Sequence, residues 1–372
     1  MTVEETTLER PEIAAAPPPR VRWRRLLPRW AAGLVLATLI IWPLTAPFLT
    51  TFTHYKWDPQ LQRYVEPEGF VKASMTEGWA QSHYGKHGII GIPDVMAVHE
   101  PKIILWGNSF VEGAQLSDDL KLARQTTDLF RQRGLPVVAV PVVHPGWSLA
   151  DCCLRIPEYE KLVDPVCHVV VVTTMKDTLP DGRAFVDRPE FAIRDSFALP
   201  AHQDQMAAMN RLHLLFLGRV MGMAGRLLES DGSAALRFTC GPAPHSPAPL
   251  PTCADPESRR KAWDFLLGYL RSRTKRPIVL FYAAQVPTIL KGAIQYDDPD
   301  RQPMEEFAGA CRRHGIEFVN VTSAYCDFYR QTGCFPLGYI NGFVSHGHWN
   351  QYGHRLMAEA IVEHYIKEHP GQ

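Results

Sequence analysis

The sequence predicts an α/β protein built on a doubly wound parallel sheet, and three observations predict it. Short apolar runs recur along the chain, they alternate with longer stretches of helical period, and their Val and Ile residues are continuous rather than interleaved with polar ones. Strands of that kind are buried on both faces, as in a parallel sheet covered by helices. One domain with crossover helices accounts for the alternation.

The elements follow in order. Residues 1–29 form a tail that ends in a basic cluster of Arg20, Arg22, Arg24, Arg25 and Arg29. Residues 30–53 are uncharged and long enough for the roughly 20 apolar residues that cross a bilayer, with Trp30 and Trp42 suited to its interfaces. Pro43 and Pro47 interrupt the second half, which a kinked transmembrane helix tolerates. The run is long and no small-x-small cleavage site follows it, so it reads as an uncleaved signal anchor. Positive charge concentrates before it, and only Lys56 and Arg63 follow closely. This predicts a single-pass inner-membrane protein with its N-terminus in the cytoplasm and everything after about His54 in the periplasm or outside. Residues 54–101 read as an irregular linker or cover segment without a motif.

Residues 102–372 carry the α/β pattern. Apolar runs at Ile103–Trp106, Val137–Val143 and His168–Met175 alternate with helical stretches at Leu120–Arg133 and Leu149–Lys161. An interval at about 178–256 breaks the rhythm with an amphipathic helix candidate near Met206–Leu228 and a Pro-rich stretch, and reads as an insertion or lid. A helix at Glu257–Arg273, a strand at Pro277–Ala284, a helix at Met304–His314, a strand at Glu317–Val321 and a last helix after Asn350 complete the domain.

Composition narrows the function. The 39 basic and 39 acidic residues balance, so the bulk charge gives no footprint for nucleic acid. Eight cysteines without a repeated Cys-x-x-Cys fit an oxidising compartment better than a zinc framework. Cys240 with Cys253, and Cys326 with Cys334, bracket loops that a disulfide would clip, whereas Cys152, Cys153, Cys167 and Cys311 read as buried thiols. No metal cluster, P-loop or dinucleotide glycine fingerprint appears in the sequence, and neither metal nor cofactor is expected.

Two local arrangements point to chemistry. The run Lys102-Ile-Ile-Leu-Trp-Gly-Asn-Ser-Phe-Val-Glu-Gly113 ends an apolar strand in a tight turn that delivers Ser109, where a nucleophile is placed. Near the other end, Ser345-His-Gly-His-Trp-Asn-Gln-Tyr-Gly-His354 leads into the last helix and makes His348 the first candidate for a base, ahead of His346 and His354. The turn holding Gly146 and the segment Thr174–Asp177 follow other predicted strands, on the side of a parallel sheet where ligands collect. Each has a plain structural alternative: Ser109 as a helix N-cap, Gly146 as a turn residue, Lys176 as a solvent-facing side chain.

These blocks resemble those of the SGNH, or GDSL-like, hydrolases, and the resemblance covers roughly Asp58 to the C-terminus. Gly107-Asn-Ser-Phe-Val-Glu-Gly113 matches the Gly-Asp-Ser block, with Asn108 in place of Asp. Gly146 in Val143-His-Pro-Gly-Trp-Ser148 matches the lone oxyanion glycine, and His348-Trp-Asn-Gln-Tyr-Gly-His354 the closing histidine block. The resemblance implies a flavodoxin-like three-layer α/β/α sandwich and a serine esterase or acyltransferase, with an acyl-enzyme on Ser109 and His348 as base. It implies oxyanion donors from Ser109, Gly146 and, where the family has Asn, Lys176. Acyl or acetyl esters on carbohydrate, including exported polysaccharide, are the implied substrates, with lipid esters next and an envelope or polysaccharide-export complex as partner.

Two positions depart from that pattern. Lys176 replaces the Asn of the third block, and a flexible ammonium does not hold the fixed geometry of an amide donor. Ser345 stands where the closing block carries its acid, which leaves Asp177 as candidate for either the acid or a structural role. The departures also motivate a rival expectation, a catalytically degenerate member that binds glycan or scaffolds a cell-envelope assembly. A third expectation is a tethered envelope protein with no open site.

Overall fold

A computed structural model describes residues 27–37, 56–74, 77–179 and 256–370. The chain divides into two compact units, Met1–Leu49 and Thr50–Gln372. In the first, helix α1 occupies residues 27–37 and is exposed through residue 36. Among the described residues no helix is long and apolar enough to cross a membrane. Residues 38–53 of the expected span lie outside the described residues, as do residues 180–255 of the expected insertion, the helix candidate near Met206–Leu228 and the Cys240–Cys253 pairing.

The second unit begins with two antiparallel hairpins where the sequence suggested an irregular linker. β1 (Lys56–Asp58) pairs with β2 (Arg63–Val65), and β3 (Val71–Ser74) pairs with β4 (Ala80–His83) in the register Lys72 to Ser82. The main sheet follows with β5 (Lys102–Gly107), then the short helix α2 (Ser109–Glu112) and α3 (Leu122–Gln132). After β6 (Val138–Val143), α4 (Leu149–Val163) and β7 (Cys167–Val172) come α5 (Pro256–Arg273) and β8 (Ile278–Tyr282). A small hairpin of β9 (Thr288–Leu290) and β10 (Ala293–Gln295) precedes α6 (Arg301–Arg313), β11 (Glu317–Asn320) and α7 (Thr322–Thr332). The chain closes with β12 (Leu337–Gly338), β13 (Val344–Trp349) and α8 (Gln351–Glu368).

Five of these strands form one parallel sheet in the order β11-β8-β7-β5-β6. Numbered by appearance within the sheet, that is 2-1-3-4-5, in which chain order reverses at β5. The apolar runs are buried as expected: β7 and β8 contain only buried residues, and β5 is buried from its second residue onward. Alternate residues of each strand feed two cores. Ile104 and Trp106 join α4, α5 and α6 through Cys153, Trp263 and Phe307, whereas Ile103 and Leu105 join α3, α7 and α8 through Phe130, Tyr325 and Tyr365. Helices therefore cover both faces.

Four details differ from the sequence-based expectations. Helix α7 was not expected, because only Tyr325 and Cys326 of it are buried and its apolar period is weak. His348 lies in a strand, β13, rather than in a loop before the last helix. The run expected as a strand to Met175 ends at Val172, and residues Met175–Thr178 form a 3₁₀ turn instead. Cys326 and Cys334 are not bridged: Cys326 is held inside α7 with its thiol toward Tyr296 O, and Cys334 lies exposed beyond the helix end. Cys152, Cys153, Cys167 and Cys311 are buried thiols as expected, and burial pushes Cys167 and Cys311 up to about 12.

Candidate active site

The parallel strands end together where β5, β6 and β7 deliver Ser109, Gly146 and Lys176 from adjacent carboxyl ends. Ser109 is the first residue of α2. Asn108 caps that helix, its Oδ1 accepting from Phe110 N at 3.0 Å and its carbonyl accepting from Val111 N and Glu112 N. Among the described residues no acceptor takes the Ser109 N–H, one of the donors that a helix start leaves unused. Asn at 108 has a local reason as well. Its amide nitrogen donates to Asp177 Oδ2 at 3.0 Å, where an Asp would set two carboxylates against each other.

Ser109 Oγ lies 2.8 Å from His348 Nε2, although 239 positions separate them in the chain. The other ring nitrogen, Nδ1, is 2.6 Å from Glu77 Oε2, and the His348 backbone N–H donates to Glu77 Oε1 at 2.7 Å. Both carboxylate oxygens of Glu77 are thus spent on one histidine. Burial works to raise the Glu77 pKa, but the side-chain and backbone hydrogen bonds from His348 outweigh it and hold the carboxyl below its ordinary range. An ionised carboxylate only accepts, so Nδ1 carries the proton toward Glu77, and in that tautomer Nε2 accepts from the Ser109 hydroxyl. The Phe110 ring packs 4.9 Å from the imidazole, centroid to centroid, and limits its tilt.

The carboxylate reaches this position because residue 347 is glycine. Gly347 adopts φ +85°, and a Cβ built there would lie 2.1 Å from Glu77 Oε1. The loop of Glu77, between β3 and β4, is fastened to the β12–β13 loop from its other side. Asn341 Oδ1 accepts from Gly78 N at 2.9 Å and Asn341 Nδ2 donates to Gly78 O at 3.0 Å.

The remaining candidates divide. Gly146 sits in an exposed turn after β6, and among the described residues its N–H has no acceptor. Lys176 is exposed on the 3₁₀ turn after β7. Asp177 does not reach His348: its carboxylate accepts from Asn108 and, at 3.2 Å, from the Thr173 hydroxyl. Burial is the main influence on it and raises its pKa over the lowering effect of those partners. The place on Nδ1 that sequence reasoning offered to Asp177 belongs to Glu77, and Asp177 holds the cap of the serine's helix. Ser345 is buried with φ +71° and accepts from Ile289 N at 2.9 Å, so it ties β13 to β9.

The rival histidines are occupied elsewhere. His346 lies against Thr288 Oγ1 and Ile289 O. His354 is fully buried, and its Nδ1 accepts from Leu122 N at 2.9 Å. Among the described residues no group of His, Cys, Asp and Glu is arranged to hold a metal ion.

Sequence reasoning missed Glu77 altogether. It lies 271 positions from its histidine, in a segment with no periodic signal. The one available hint was negative, a closing block whose acid position holds Ser345.

No protein-family model and no curated protein matches the chain. Solved structures similar to it include an acetyl xylan esterase, AlAXEase, at 11% identity and a TM-score of 0.40, covering 71% of this chain and 100% of that one. LAE5, an alpha/beta hydrolase enzyme from the metagenome of Lake Arreo, is 15% identical with a TM-score of 0.37, covering 72% of this chain and 96% of its own. A lipase/acylhydrolase from Enterococcus faecalis is 13% identical with a TM-score of 0.37, covering 73% and 99% respectively.

Proposed function

We propose that the protein is a serine ester hydrolase or O-acyltransferase that works through an acyl-enzyme on Ser109. The observation that carries this reading is the unbroken path from Ser109 Oγ to His348 Nε2 and from His348 Nδ1 to Glu77 Oε2, at 2.8 and 2.6 Å. Nucleophile, base and orienting acid stand within hydrogen-bond reach of one another. As Ser109 Oγ attacks an acyl carbonyl, His348 Nε2 takes its proton, and Glu77 stabilises the imidazolium that forms. The tetrahedral oxyanion is received by the Ser109 and Gly146 N–H groups, with the Lys176 ammonium as a mobile third donor. Collapse expels the leaving alcohol, which takes its proton from His348. Water or an acceptor hydroxyl then gives its proton to His348 and attacks the acyl carbon, and collapse breaks the Oγ–acyl bond, releases the acid or new ester, and returns the proton from His348 to Ser109 Oγ.

The substrate side rests on the sequence. Resemblance to SGNH hydrolases favours acyl or acetyl esters of carbohydrate, including exported polysaccharide. The uncharged run 30–53 behind its arginine cluster favours a membrane anchor with the α/β unit in the periplasm or outside.

The test is release of the chromophore from a short-chain chromogenic acyl ester by the full chain and by Ser109→Ala. Turnover that disappears with the hydroxyl supports the reading. Turnover that survives in Ser109→Ala removes Ser109 as nucleophile. A folded protein that neither turns over esters nor transfers acyl groups to a hydroxyl acceptor defeats the enzyme reading.

A further inference from the structure

We infer that Glu112 is a positioning residue that sets the Glu77 hairpin against Ser109. The inference rests on the catalytic reading above for its kinetic consequence, and on geometry alone for its structural one.

Glu112 occupies the last position of α2, three residues after Ser109, and is only 3% exposed. A buried carboxylate needs partners, and both of its partners lie on the hairpin side. Lys72 Nζ, from the middle of β3, contacts Glu112 Oε1 at 2.5 Å. The Tyr84 hydroxyl, next after β4, donates to the same oxygen at 3.0 Å. Glu77 lies between these two strands. One four-residue helix thus carries the serine at its first residue and, at its last, the group that grips both arms of the hairpin bearing the acid.

A second attachment shows why the grip acts on position rather than on folding alone. Lys121 Nζ donates to Ser82 Oγ at 2.7 Å, and Asp118 Oδ2 accepts from His83 N at 3.1 Å and contacts His83 Nδ1 at 2.8 Å. These contacts hold β4 without using Glu112, so the hairpin stays docked when Glu112 is changed. Among the described residues, Glu112 supplies the side-chain link between the nucleophile's own helix and β3. Glu66 adds to the field there. Burial first, and then the Glu112 charge, raise its pKa, while Lys72 lowers it. Lys72 therefore faces two carboxyl groups, of which Glu112 is the one it bonds.

The experiment compares the full-chain protein with Glu112→Gln and Glu112→Ala, and with Lys72→Met and Tyr84→Phe, which cut the same link from the hairpin. Proton NMR reads the deshielded His348 Nδ1–H that Glu77 accepts, circular dichroism reads the fold, and kcat and KM for a chromogenic acyl ester read the chemistry. Glu112→Gln keeps an acceptor for Tyr84 and loses the ion pair, so it gives the milder change. The expected result in the folded variants is an upfield or broadened Nδ1–H signal. With it comes a fall in kcat of about tenfold to a hundredfold at near-constant KM, the scale of a misplacement of about 1 Å. An unchanged signal and unchanged kcat in the variants that fold overturn the proposal. Should Glu112→Ala not fold, Lys72→Met and Tyr84→Phe decide between these outcomes. A wild-type protein that shows the signal yet lacks ester chemistry overturns the function reading instead, and the NMR comparison still decides the role of Glu112.

Discussion

At the residue scale, the proposed mechanism gives one residue to each chemical role, so substitutions separate the roles. Ser109→Ala is expected to remove turnover by on the order of 10⁶-fold, and Glu77→Gln to lower kcat by about 10³ to 10⁴-fold, since the amide has one acceptor for the two His348 donors, disfavours the Nδ1–H tautomer and carries no charge to stabilise the imidazolium. Both are read as kcat in steady-state kinetics with fold monitored by circular dichroism. Gly347→Ala should resemble Glu77→Gln in kcat, because its Cβ would lie 2.1 Å from Glu77 Oε1 and push the carboxylate away. The acid also leaves a mark on stability. Its folded pKa lies below the ordinary value, so Glu77 contributes stability above the unfolded range and loses it as pH falls through the folded value. Urea midpoints of wild type and Glu77→Gln should therefore differ most near neutral pH and converge at acid pH. The sequence could offer Ser109 and His348 as candidates, which the structure brings to 2.8 Å, because each sits in a compact local pattern beside a strand or helix start. Glu77 was not legible, because its meaning depends on a loop contact across 271 positions.

At the element scale, one buried histidine hydrogen-bonds the last helix to the start of α3, beside their packed apolar residues. Burial first, and then the charge of Lys121, lower the His354 pKa to about 3, so the ring is neutral when folded. An unfolded histidine takes its proton near pH 6.5, so the folded form loses stability as pH falls from that value toward 3. His354→Leu should abolish that dependence while leaving the Leu122 N–H without its acceptor, at a cost of about 1–3 kcal/mol at neutral pH. Chemical denaturation between pH 4 and 8 checks both parts. Sequence pattern located the parallel strands and the helices between them because their burial is nearly continuous. It missed α7 and the small hairpins, whose residues are mostly exposed or half-buried and whose positions are fixed by tertiary contacts rather than by period.

At the scale of the whole molecule, two cores lie on opposite faces of one sheet, and the histidine of the site adjoins the second of them. Trp263 fills the first, against Phe307, and Trp349 fills the second, beside His348 and against Phe110. Replacing either by Ala should cost about 3–5 kcal/mol of stability. Only Trp349→Ala should also lower kcat per folded molecule, which activity normalised to folded fraction would show. The strand order was legible as a class but not as an arrangement, since alternation predicts crossovers and not which strands become neighbours. The spacing of the site along the chain also sets when it comes into being. Glu77 and Ser109 leave the ribosome early, whereas His348 follows Ser109 by 239 residues, roughly 10 to 50 seconds later at ~5–20 residues per second. Under the proposed mechanism the serine has no base until then, and a chain cut between Ser109 and His348 holds its hydroxyl inert.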